Sequence, residues 1–331
     1  MDRRAFISAV TGSLLAAPLA AEAQPAGKRY RIAYVAIAPR TAAEVAEQPP
    51  YRAFVAELRR LGYFEGQNLV IERWTAAGRV EHYPELARDV AQSQPDVIVA
   101  VSDQLLIRLK EATTAPIVGI TADPVAIGLA SSLGRPGGTL TGFTVGPDEV
   151  LGKHLELLRQ AVPGASRVAF LLSQAGWDGR YGRVMREAAR SAAVTLIGVP
   201  VRDPIDEQEY QRAFSLMARE RVEALIVNDH PSNYRHRRLI ADLAARGRLP
   251  AIAALRDFPE AGGLMAYAPD TLAMFRSVAQ YTDRILKGAK PGDLPFQEPT
   301  KFELVINLKT AKALGLTIPP SLLQRADQVV E

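Results

Sequence analysis

PIVGITADPVAIGLASSLGRPGGTLTGFTV, residues 116–145, is the stretch from which the fold is read. Pro116–Ile120 is a short apolar run opened by proline, the pattern of a strand buried on both faces of a parallel sheet. Thr121-Ala122-Asp123-Pro124 follows at its carboxyl end, where open α/β sheets hold their ligands. Asp123 has the side chain to cap a helix whose first turn takes Pro124, and such a helix would carry Val125, Leu129 and Leu133 on one side. Gly134, Pro136, Gly137 and Gly138 then stop it. In the next apolar segment, Leu140–Phe143, Gly142 predicts a strand crowded by another backbone or leading into a crossover. The whole stretch reads as one edge of a ligand cleft.

Strand and helix alternate outward from it. Upstream, strands at Tyr30–Ile37, Leu69–Trp74 and Val97–Val101 are separated by the helices Tyr51–Leu61 and Tyr83–Ala91, and Leu105–Ala112 leads back to Pro116. Downstream, the helix Asp148–Ala161 opens a second series. Its strands are Val168–Leu172, Thr195–Val199, Ala224–Val227, Ala251–Ala254 and Leu264–Ala266, with helices Arg180–Ala193, Ile205–Arg219 and Arg235–Arg246 between them. The βαβ order predicts an α/β protein of two doubly wound parallel-sheet lobes, joined by a hinge, with the ligand cleft between them. Lobe one is expected from 29–146 plus 267–290, the latter carrying the helix Thr271–Leu286, and lobe two from 147–266. A last strand and helix, Phe302–Ile306 and Leu308–Leu314, fall in 291–331, which the pattern assigns to neither lobe. Hinges are expected near Phe143–Pro147, Ala266–Pro269 and Lys287–Gln297, each rich in Gly or Pro.

Composition narrows the class. A chain of 331 residues, 48% hydrophobic and 23% charged, has room for two cores. Its net charge of +4 is spread without a long basic run, so no nucleic-acid partner is expected. Cys is absent, which removes disulfides, thiolate metal sites, cysteine nucleophiles and a lipoprotein anchor together. At the start, Arg3-Arg4 precede Ala5-Phe6-Ile7 and an Ala/Leu/Val-rich run that ends near Ala21-Glu22-Ala23. That is a secretory signal over residues 1–23, of twin-arginine type, with cleavage after Ala23 and a periplasmic destination. The apolar run is too short to span a bilayer and is broken by Gly12, Ser13 and Pro18.

DPV-x-x-GL-x-x-SL-x-RPGG-x-x-TG, from Asp123 to Gly142, resembles the substrate-binding proteins of a bacterial ABC transporter family that includes tryptophan and tyrosine binders. PTKFELVINLKTAKALGLTIPPSLLQRAD, Pro299–Asp327, is similar to that family's C-terminal signature. EAGGLMAYAPD at Glu260–Asp270 and LGYFEGQNLVIE at Leu61–Glu72 also fit it. The resemblance implies a type I periplasmic-binding-protein fold, a small polar ligand such as an amino acid, aromatic or other, or a related metabolite, and an ABC permease in the inner membrane as partner. It also implies a monomer that is not an enzyme and holds no cofactor.

The candidate binding residues sit on strand-end loops. In lobe one they are Ala38, Ser102, Asp103, Thr121 and Asp123. In lobe two they are Ser173, Trp177, Asn228, Asp229, Arg256 and Asp257, and Tyr267 is a further one at the start of the segment expected to return to lobe one. Hydroxyls and helix N-terminal amides suit a ligand carboxylate, and an aspartate suits an ammonium. Each has a plainer reading. Asp103 and Asp123 are also helix-cap residues, Asn228-Asp229-His230-Pro231 is also turn chemistry, Arg256 could face solvent, and Trp177 and Tyr267 could be ordinary packing.

Other chemistries lack their motifs. His82, His154, His230 and His236 show no metal spacing, so no metal site is expected. G-x-S-x-G and G-x-x-x-x-G-K-[ST] are missing as well. Two alternatives to solute binding stay open: an exported enzyme using aspartates across the cleft, such as Asp103 with Asp257, and a periplasmic sensor lobe that docks on a receptor.

Overall fold

The computed structural model describes residues 28–37, 39, 41–146 and 148–331. The expected secretory signal over residues 1–23 and the candidate residue Ala38 therefore lie outside the described residues. Twelve strands are described: β1 (Tyr30–Ala36), β2 (Leu69–Thr75), β3 (Val97–Val101), β4 (Ile117–Thr121), β5 (Leu140–Thr144), β6 (Arg167–Ser173), β7 (Thr195–Val201), β8 (Ala224–Val227), β9 (Ala251–Ala253), β10 (Met265–Pro269), β11 (Phe302–Asn307) and β12 (Gln328–Val330). They form two sheets. The first has the order β2-β1-β3-β4-β5, the second β12-β11-β10-β9-β8-β6-β7. Every pairing is parallel except β10 with β11.

Alternation along each central strand feeds two cores per lobe. On one face of the first sheet, Ile32, Tyr34, Val97, Val99, Val118 and Ile120 pack beneath the helices Pro49–Arg60 and Thr271–Leu286. On the other, Ala33, Val35, Ile98, Ala100 and Ile117 meet the helices Tyr83–Gln92 and Asp103–Ala112. The second sheet repeats the plan. Val168, Phe170 and Leu172 lie under the helices Glu149–Ala161 and Arg180–Ser191, while Ala169 and Leu171 face Glu207–Arg219 and Arg237–Arg246.

Gly142 justifies its place in the sequence. Its φ is +150°, and a Cβ there would stand 1.8 Å from the carbonyl oxygen of Gly119 on the neighbouring strand β4. The crowding that the glycine predicts is thus between β5 and β4.

Three expectations need correction. The segment after Pro124 is a run of turns instead of a helix, because Gly128 adopts φ +72° and Leu129 and Ala130 both donate to the Pro124 carbonyl at 2.8 and 2.9 Å. Val125 is accordingly exposed. Next, Tyr267 belongs to the second sheet, since β10 runs on to Pro269 between β9 and β11. Finally, Lys287–Gln297 is no crossing. Gln297 exchanges backbone hydrogen bonds of 2.9 Å with Gly142 and Thr144 on β5, and the Leu294 carbonyl accepts from Thr141 Oγ1 at 2.6 Å, which keeps this segment on lobe one. The chain passes between lobes over 144–149, 269–271 and 297–302, and β11 and β12 complete the second sheet.

Candidate functional site

Between the lobes lies a cavity of about 430 Å³, walled by strand ends from both sheets. From lobe one it receives Tyr34 of β1, Val101 of β3 and Ile120 of β4, together with Pro49 and Pro50 at the start of a helix. Met274 and Phe275 enter from the helix that returns to lobe one. Lobe two supplies Asp229 beyond β8, Arg256 and Asp257 beyond β9, Tyr267 on β10, and Arg180 with Tyr181 at the head of a helix. The carboxyl ends of parallel strands thus face one another across the cavity, as the fold's connectivity requires.

The lobes touch across the cleft. Tyr234 Oη of lobe two donates to Gln48 Oε1 of lobe one at 3.3 Å, and Arg235 Nη1 donates to the Ala77 carbonyl at 2.9 Å. Arg235 also lies over Gly78, where a Cβ would meet its Cδ at 2.7 Å.

Charge in the cavity is mostly spent within the protein. Arg180 pairs with Asp148 at 2.5 Å, Asp257 with Arg237 at 2.8 Å, and Arg256 with Glu303 at 2.7 Å while a further nitrogen donates to Gln328 at 2.8 Å. Asp229 differs, for it has no ion pair among the described residues. Burial, and then the Asp103 carboxylate, push its carboxyl up to about 6; Arg180 pulls weakly the other way. Next to it, burial holds His230 down to about 4, so its imidazole is neutral, and its Nδ1 accepts from Ser232 N at 3.3 Å.

The aromatic groups complete the surface. Burial pushes the phenols of Tyr34, Tyr181, Tyr234 and Tyr267 up, with Tyr234 at about 12, so all four are neutral at working pH. The carboxylates of Asp229 and Asp103 add to the shift at Tyr181. Tyr34 is further fixed by an edge contact with Tyr51, ring centroids 4.9 Å apart.

Of the residues expected from sequence, Asp229, Arg256, Asp257 and Tyr267 line this cavity. The others stand behind it or apart from it. Asp103 Oδ1 accepts from Thr121 Oγ1 at 2.5 Å and from the amide of Ala122 at 2.8 Å, which joins two lobe-one loops and leaves Thr121 only 1% exposed. Ser102, at φ +98°, sets the turn before Asp103. Asp123 Oδ1 accepts from Val125 and Ala126 amides, closing the turns beyond β4. Ser173 caps the short helix Gln174–Asp178 by accepting from Gly176 N. Trp177 in that helix fills the space above Gly198 of β7, with the Arg186 guanidinium 4.7 Å from the ring centroid. Asn228 is 5% exposed and its Oδ1 accepts from His230 N, so it shapes the turn that presents Asp229.

Tyr34, Gln48, Arg180, Tyr181, Tyr234 and Phe275 were missed. Tyr34 and Phe275 carry the same apolar periodicity as core residues, so pattern alone cannot separate them. Tyr181 and Tyr234 had a usable signal, since each sits in the first turn of a helix, Tyr234 just beyond β8 and Tyr181 after the short helix that follows β6.

Among the described residues no three His, Cys, Asp or Glu side chains gather as a metal site, and no helix is long and apolar enough to cross a membrane. The cross-cleft pair Asp103 and Asp257 has other employment, one with Thr121 and Ala122, the other with Arg237.

The family model described as ABC transporter substrate binding protein matches residues 48–330. The chain is similar to a tyrosine-binding protein of Clostridioides difficile, 23% identical over 276 residues that cover 80% of this chain and 76% of the relative. A conserved domain protein from Vibrio cholerae has a solved structure with TM-score 0.81 and 24% identity, covering 91% of this chain and 100% of that one. The ABC domain from Streptococcus pneumonia in complex with L-Trp gives a TM-score of 0.80 at 22% identity, over 92% and 100% of the two chains. The shared architecture is the type I periplasmic-binding-protein fold.

Proposed function

The chain belongs to the ABC transporter substrate binding protein family, and we propose that it works outside the cytoplasm as the solute receptor of an importer, closing its lobes on an amino acid with an aromatic side chain and presenting it to a membrane permease without altering it. One observation carries the choice of ligand: a cavity of about 430 Å³ whose walls hold four tyrosines and Phe275 together with a carboxylate, Asp229, that has no ion pair among the described residues. Aromatic walls contribute both buried area and ring–ring contacts to a flat apolar group, and a carboxylate in a closed cleft selects a cation. The relatives that bear tyrosine in the name or L-Trp in the solved complex support this ligand class. The twin arginines at Arg3-Arg4 support export.

A thermal-shift series of the mature protein with amino acids, sugars and small acids is the direct test. An aromatic amino acid at a hundredfold excess over its Kd stabilises the closed protein by about 2.7 kcal/mol, a rise of about 5 °C for a chain of this size. A rise with sugars and none with any amino acid overturns the ligand class.

A further inference from the structure

Resting on that reading of the cavity, we infer that the site recognises its ligand through the ammonium group and the aromatic body and makes no side-chain salt bridge to a ligand carboxylate, so that the corresponding aromatic amines, which lack the carboxylate, belong to its ligand class.

The charge inventory leads there. Among the described residues two cationic side chains reach the cavity, and both have carboxylates already: Arg180 holds Asp148 at 2.5 Å, and Arg256 holds Glu303 at 2.7 Å and Glu260 at 3.6 Å. The anion Asp257 is likewise taken, by Arg237. Asp229 alone is left without a partner ion among the described residues, and the second carboxylate in electrostatic reach, Asp103, deepens the negative potential there. A ligand cation placed at Asp229 relieves that potential, whereas a ligand anion would have to compete with Asp148 or Glu303 for its guanidinium.

The backbone at one lobe-one helix start points the same way. The helix that begins beside the cavity starts with Pro49-Pro50, which have no N–H, and the amide of Arg52 is turned back to the Gln48 carbonyl at 3.0 Å. That helix start has little to offer a carboxylate. The aromatic walls do have something to offer a cation, because Tyr181 lies within electrostatic reach of Asp229 and Tyr34, Tyr234 and Tyr267 line the same cavity with neutral rings.

A matched set of three ligands tests this by calorimetry at pH 7.5: tyrosine, tyramine, which keeps the amine only, and 3-(4-hydroxyphenyl)propionate, which keeps the carboxylate only. Tyramine should bind within tenfold of tyrosine, the acid at least a hundredfold more weakly, and Asp229→Asn should weaken tyrosine and tyramine alike by at least thirtyfold. Circular dichroism melting of the variant controls for folding, and in the folded parent the three-ligand comparison stands without it. Binding of tyrosine and of the acid with loss of tyramine overturns the inference alone and assigns recognition to the carboxylate. Failure of all three overturns both the inference and the aromatic amino-acid reading beneath it.

Discussion

At Asp229 and His230, adjacent in sequence, burial has opposite consequences for stability. Asp229 stands at about 6 against an ordinary 3.8, so its contribution to the folded protein is full below pH 3.8 and fades as the pH rises through 6. His230 stands at about 4 against 6.5, so its contribution is full above pH 6.5 and is lost as the pH falls through 4. Between pH 6 and 4 the two trends oppose each other, with Asp103, Arg180, Tyr181 and Asn228 as the other polar groups near Asp229. The melting temperature of Asp229→Asn should therefore fall more steeply than the parent's from pH 6.5 to 4, because His230 is then unopposed. Equal slopes in calorimetry would place Asp229 in an ordinary, solvated environment. At this scale the sequence was half legible. Strand ends give positions, so Asp229, Arg256, Asp257 and Tyr267 could be found, but rotamers and partners are tertiary facts. Thr121 and Asp103 look like a ligand pair in sequence and turn out to satisfy each other at 2.5 Å.

Strands were read better than the turns between them. Buried parallel strands announce themselves as continuous apolar runs, and β3, β4, β6 and β8 fall within a residue of where those runs lie. The false helix after Asp123 shows the limit. Leu129 and Leu133 have helical spacing, but Gly128 at φ +72° and the paired donation to the Pro124 carbonyl fold the segment into successive turns, and one glycine inside an apolar pattern does not reveal its backbone angle. Gly142 is the opposite case, since its neighbours demand a strand and only the closeness of β4 accounts for it. Gly142→Ala should lower stability in urea by about 3 kcal/mol, combining overpacking with an unfavourable φ. A loss below about 0.5 kcal/mol would mean that β5 can move off β4 freely.

At the scale of the whole molecule, Arg235 makes one of the polar contacts between the lobes, to the Ala77 carbonyl over Gly78. Closure should lean on it without its touching the ligand. A partly exposed charged hydrogen bond of this kind contributes about 1 kcal/mol, so Arg235→Ala should weaken ligand affinity about fivefold. Small-angle scattering should also show a larger radius of gyration for the ligand-free variant than for the parent, with the liganded forms alike. An unchanged radius and affinity would remove Arg235 from the closing equilibrium. The hinge segments were only partly legible, because Gly and Pro mark every connection, and Lys287–Gln297 carries them while lying along β5.

The triple passage between lobes also bears on how the chain can be made. Lobe one waits for the helix Thr271–Leu286 and the segment up to Gln297, and the second sheet waits for β11 and β12, so β10 has one bare edge until Phe302–Asn307 arrives. Neither half can finish during synthesis while the ribosome is still reading the first 260 codons. A nascent chain of that length holds two unfinished sheets, and an export route that demands a completed fold has to wait for almost the last residue.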